Sequence, residues 1–239
     1  MFSHSFKFSP RSQSIIPKNI MDFQAIFQNL LVTMPIFLLS LSVHEAAHAA
    51  TAYYLGDPTA RDLGRVTINP VPHIDPIGTI LMPIISSLMG GFAMIGWAKP
   101  VPIDWRNLRN IKRDDTLIAV AGPASNLVLA FVFVAGLAIV GSGVIDTAPG
   151  TAGELLYRFS RYGLIINVAL AMFNMIPIPP LDGSHVLANA LPNDLAEKYR
   201  SFSMYGIFLL LILLNFTPLN RILNTVIGSV VSLYLRLVP

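Results

Sequence analysis

Cysteine is absent from this sequence of 239 residues, and charge is scarce: Asp, Glu, Lys and Arg together make up 12%. Without cysteine there are no disulfides and no thiolate metal ligands, so any bound zinc must be held by nitrogen and oxygen. A charged fraction about half that of a soluble domain, with 54% hydrophobic residues, excludes an ordinary water-soluble globule. Mean hydropathy is +0.62. Basic stripes with interleaved aromatics are also missing, which argues against nucleic acid as a partner. What is present is a series of long apolar runs, read as an all-α polytopic membrane protein with the lipid bilayer as its surroundings. The net charge of +3 suits basic loops beside anionic lipid.

Residues 1–20 are Ser-rich, carry Lys7, Arg11 and Lys18, and lack acidic residues. With no long apolar core they do not read as a cleavable secretory signal. They are expected to be a flexible extension to a single integral-membrane domain over 21–239, and Met21 is an alternative start. About five to six membrane segments are expected. The first runs from about Phe27 to Leu55, with Pro35 as a kink. Thr116 to Val140 and about Tyr162 to Ile176 are further spans, and two shorter pieces cover about Ser203–Asn215 and Ile222–Val238. Residues 141–161 and 191–200 read as polar connections. Thr67-Ile68 is a candidate short β element at the membrane edge. Ile77–Trp97 has the length to span, yet Gly78, Pro83 and Gly90-Gly91 interrupt it, so a re-entrant hairpin is the competing reading.

Chemistry enters with His44-Glu45-Ala46-Ala47-His48, placed inside the first apolar run. On a helix, residues four apart overlie one another, so both imidazoles point toward one place. Two neutral imidazoles form half of a zinc site, and Glu45 beside them can accept a proton from a metal-bound water. Ionisable residues at membrane depth are costly unless they face a polar interior. A second stretch, Asn174-Met175-Ile176-Pro177-Ile178-Pro179-Pro180-Leu181-Asp182-Gly183, must unwind at its prolines. Broken backbone at that depth requires protein or a wet cavity around it. Asp182 is either the missing carboxylate ligand or a cap for the helix that follows. Asn126, in Gly122-Pro123-Ala124-Ser125-Asn126, is either a hydrogen-bond partner of the zinc helix or helix glue. His73 and Asp75 are weaker ligand candidates on a proline-punctuated loop.

Taken in order, His44–His48, Gly122–Asn126 and Asn174–Gly183 resemble the three signatures of the site-2 protease family of intramembrane zinc metalloproteases, over about Phe27 to Leu187. The tract Gly96-Trp97-Ala98-Lys99-Pro100-Val101-Pro102 resembles the small bacterial branch without a PDZ or CBS domain. The resemblance implies one zinc per chain held by His44, His48 and Asp182, with Glu45 as the catalytic base. It also implies that Asn174 holds substrate backbone or the developing oxyanion, and that Gly122, Pro123, Asn126, Pro177 and Gly183 give structural support. Transmembrane-helix proteins would be the substrates, cut during regulated proteolysis or signal-remnant clearance. The expected location is the bacterial inner membrane, with the site toward the cytoplasm. With 77–97 re-entrant, Arg61, Arg65, Lys99, Arg106, Arg109, Lys112 and Arg113 share the site's side, as the positive-inside rule prefers; Lys7, Arg11 and Lys18 oppose it. The alternatives are a membrane cation transporter, which predicts inverted repeats and spread-out ionisable residues, and a catalytically inactive membrane-binding relative.

Overall fold

A computed structural model describes residues 23–88 and 96–238; the N-terminal extension and Gly90-Gly91 lie outside them. Nine α-helices are present among the described residues. They are α1 (Phe23–Tyr54), α2 (Thr59–Asp62), α3 (Met82–Leu88), α4 (Ile111–Gly141), α5 (Ala152–Asn174), α6 (Asp182–Ala190), α7 (Asn193–Ser201), α8 (Ser203–Phe216) and α9 (Leu219–Leu235). A wider helical turn, Pro76–Leu81, leads into α3.

The core is a sandwich of α1, α4 and α5, with α9 against α5 and α6 against α4. Ile36 and Phe37 of α1, Phe133 and Val134 of α4, and Leu164 and Val168 of α5 fill one cluster. Three cross-links fix direction. Arg158 reaches Asn29, Asn167 reaches Ser40, and Asp182 reaches His44, so α1 and α5 run parallel. The short 142–151 connection makes α4 antiparallel to α5.

Local chemistry sets the ends of these helices. Asn110 caps α4 by accepting from the Arg113 N–H, and Asp114 accepts from the Asn110 N–H in return. Thr151 caps α5 by accepting from the Glu154 N–H while Glu154 accepts from the Gly150 N–H, so α5 starts at Ala152, ten residues earlier than the sequence predicts. The 191–200 connector is helical as α7, its first residues following Pro192. α1 passes through Pro35 as one continuous helix.

Among the described residues two helices, Ile26–Tyr54 and Ile111–Gly141, are long and apolar enough to cross a membrane. A third qualifies if α7 and α8 count as one span across their 71° bend. This falls short of the five to six expected. Arg158, Arg161 and Asn167 dilute α5, while α8 and α9 have only 14 and 17 residues.

The two described ends of 77–97 lie side by side. The Trp97 N–H donates to the Gly78 carbonyl at 3.2 Å, and Thr79 Oγ1 donates to the Trp97 carbonyl at 2.8 Å. A straight helix of twenty residues would separate those ends by about 30 Å. No strand occurs among the described residues, so the expected β element at Thr67-Ile68 is not formed. The chain curls there instead: Asn69 N–H donates to Thr67 Oγ1, Val71 N–H to Asn69 Oδ1, and His73 Nε2 to the Thr67 carbonyl.

Candidate metal centre

His44 and His48 lie on adjacent turns of α1, both buried, their rings edge to face with centroids 4.6 Å apart. Each ring is oriented from α4. His44 Nδ1 donates to Asn126 Oδ1 at 2.7 Å, and His48 Nδ1 donates to the Ile118 carbonyl at 2.7 Å. A carbonyl only accepts, so His48 Nδ1 carries a proton, and in the neutral ring Nε2 carries the lone pair. This is how outer partners prepare imidazoles for a metal.

The two Nε2 atoms face each other across 3.0 Å. Asp182, the first residue of α6, approaches them at 3.1 Å from His44 Nε2 and 3.5 Å from His48 Nε2. Its Oδ2 is buried and accepts no hydrogen bond. Lone pairs and a buried carboxylate pointing into one small space repel and stay desolvated unless a cation joins them. One ligand atom from each of the three residues lies within 4.8 Å of the others. Two imidazoles and a carboxylate also make the donor set of a catalytic zinc with one position left for water or substrate. The residues fit a divalent metal.

Close packing brings these groups together. A Cβ on Gly122 would sit 2.3 Å from His48 Nε2 and 2.6 Å from His44 Cε1, so only glycine lets α4 lie against the pair. A Cβ on Gly183 would meet the Met175 carbonyl at 2.3 Å. Glycine there rests the start of α6 on the end of α5 and places Asp182. The helix caps with Leu181 and no side chain, so capping does not occupy Asp182. Further along α6, Asp115 of α4 accepts from His185 Nδ1 and Asn189 Nδ2, and from Trp105 Nε1.

Glu45 is half-buried, one residue from His44 on the same helix. Asn174 ends α5, half-buried, with its Nδ2 donating to the Leu170 carbonyl at 3.0 Å rather than to the histidines or Asp182. Pro123 is buried in α4 beside Gly122, and the exposed Pro177 offers its carbonyl to Tyr199 Oη. His73 and Asp75 stand apart from the cluster. Arg65 and the Thr67 carbonyl engage His73, and Asp75 caps the turn starting at Pro76.

Sequence reading missed a buried polar chain behind His44. Asn126, Asn167 and Ser40 are each fully buried and bonded to one another. The available signal was one asparagine in the apolar run Leu164-Ile165-Ile166-Asn167-Val168.

Comparison with known proteins follows the same lines. The profile describing peptidase family M50 matches residues 140–214, which include Asn174 and Asp182. A Bacillus subtilis (strain 168) protein named "Putative zinc metalloprotease YwhC" is 37% identical over 184 residues, covering 77% of this chain and 79% of that protein. Rip2 of Mycolicibacterium smegmatis, described in the same words, is 27% identical over 185 residues, covering 77% and 67%. A Methanocaldococcus jannaschii protein of that description, MJ0611, is 46% identical over 70 residues, covering 29% and 31%. No solved structure matches. With 37% identity to YwhC over an alignment that covers most of both chains, and the family profile across the Asp182 stretch, this integral membrane protein belongs to peptidase family M50, the site-2 protease family.

Proposed function

We propose that this protein is an intramembrane zinc endopeptidase that hydrolyses peptide bonds in or near transmembrane segments of other membrane proteins. The observation that carries the reading is the convergence of His44 Nε2, His48 Nε2 and the Asp182 carboxylate on one point. Relatives named as zinc metalloproteases support zinc as the metal. His44, His48 and Asp182 would hold one zinc per chain. When bound, it supplies a Lewis acid that brings the pKa of a water toward neutrality and polarises a carbonyl.

The chain's own residues do the rest. Glu45 takes a proton from the attacking water and passes it to the amide nitrogen as the C–N bond breaks. Asn174 turns its amide from the Leu170 carbonyl toward the substrate backbone or oxyanion. Gly122, Pro123, Asn126, Pro177 and Gly183 hold the frame. A helical substrate hides its carbonyls, so it must unwind. The irregular backbone from Met175 to Leu181 next to the ligands gives it an uneven wall to lie against.

The distribution of basic residues supports a site that faces the cytoplasm. Because 77–97 turns back on itself, Arg61, Lys99, Arg106, Arg109, Lys112 and Arg113 share the end of the molecule that holds His48 and Asp182. Arg158 and Arg161 lie toward the other end. In a bacterium this membrane would be the inner membrane. α5, α8 and α9, together with α1, α4 and the returning segment, supply the five to six membrane segments. The partners are transmembrane-helix substrates and lipid, not nucleic acid.

Glu45→Gln tests the reading. The variant should keep its zinc and cleave a membrane-embedded reporter helix at least about a hundredfold more slowly than wild type. Undiminished turnover would refute it.

A further inference from the structure

Asn126 offers His44 its amide oxygen rather than its amide nitrogen, and the reason lies further from the site. Its Nδ2 donates to the Ser40 carbonyl at 3.1 Å and to Asn167 Oδ1 at 2.9 Å. Asn167 in turn uses its own Nδ2 on the Gly163 carbonyl and on Ser40 Oγ, both at 2.9 Å. Ser40 Oγ spends its proton on the Ile36 carbonyl at 2.7 Å. Turning Asn126 over would set its oxygen against the Ser40 carbonyl and Asn167 Oδ1, acceptor against acceptor. Turning both amides together would still leave oxygens facing the Ser40 and Gly163 carbonyls. Neither carbonyl can move, since each belongs to a helix backbone. All three side chains are fully buried, so water cannot satisfy a reversed amide.

We propose that Asn167 is a positioning residue for the metal centre. Through Asn126 it keeps the His44 proton on Nδ1 and leaves the Nε2 lone pair for the metal. The inference rests on the zinc reading above. It extends that site to a third helix: α1 and α6 supply the ligands, α4 the orienting groups, and α5 the residue that fixes the orienting amide.

The test is the zinc affinity of the purified full chain in detergent, measured by competition with a chromophoric chelator. Asn167→Leu should weaken binding about tenfold to a hundredfold, the usual effect of losing an outer partner. Asn167→Asp, kept protonated by so buried a position, retains an oxygen facing Asn126 Nδ2 and an O–H for the Gly163 carbonyl, and should stay close to wild type. In an Asn126→Ala background, Asn167→Leu should change zinc affinity no further, because its effect passes through Asn126. Helix content and thermal midpoint of the metal-free forms show whether each variant folds. If the leucine variant loses its helix signal, Asn167→Ser carries the same prediction. Wild-type affinity in a folded Asn167→Leu or Asn167→Ser protein would overturn the inference, as would an undiminished effect in the Asn126→Ala background. A wild type that takes up no zinc would overturn the metal reading and this inference with it.

Discussion

Gly122 decides how closely α4 can approach the two imidazoles. A methyl group there would lie within 2.6 Å of both rings, and the obstruction is the metal-binding edge itself. Gly122→Ala should therefore reduce zinc affinity by at least about tenfold, read by chelator competition, because a displaced ligand costs more than a displaced support. The grouping of His44, His48 and Asp182 was legible in the sequence because only a few residue types bind metal and two of them are tied by helical spacing. Asn167 was not legible, because nothing in a linear chain says which neighbour a lone buried asparagine will meet. Asn174 was singled out for a role at the substrate, and its amide rests on its own helix.

α6 carries Asp182, and a buried carboxylate on α4 holds that helix in place. Asp115 accepts from His185 and Asn189 of α6 and from Trp105. Asp115→Ala would leave these donors without their acceptor. It should lower stability by about 1–3 kcal/mol and weaken zinc binding as Asp182 loosens, measured by thermal midpoint and chelator competition. Patterning identified the apolar helices because their runs are long. It missed the first ten residues of α5, where the Thr151 cap outweighs polar composition, and it missed α7, a polar helix on the surface. It offered a strand at Thr67-Ile68, where short side-chain-to-backbone bonds coil the chain instead.

Over the whole molecule, the parallel pair α1 and α5 with α4 between them allows side chains 134 residues apart, His48 and Asp182, to meet at one end. The ends of 77–97 lie together at that side, joined by the Gly78–Trp97 bond, which composition alone did not indicate. Asp57 secures the same end. Burial pushes its carboxyl up, but hydrogen bonds from Thr59, Asn107 and the Asp104 N–H outweigh that and hold it below the usual carboxylate range. A lowered folded value gives stability that is present above the unfolded pKa, about 3.9, and lost as pH falls through the folded one. Asp57→Asn should therefore flatten the acid limb of a stability-against-pH curve. Zinc should stabilise the fold by mass action, about 4 kcal/mol at a thousandfold excess over its Kd, so a chelator should lower the thermal midpoint.

X-ray absorption at the zinc edge on purified protein addresses the metal centre without waiting for a substrate. Stoichiometric zinc with two imidazole nitrogens at about 2.0–2.1 Å and carboxylate oxygen at about 2.0–2.2 Å is the expected result, with the oxygen contribution reduced in Asp182→Ala. A wild type that binds no zinc, or a zinc shell unchanged by removing His44, His48 or Asp182, would contradict it.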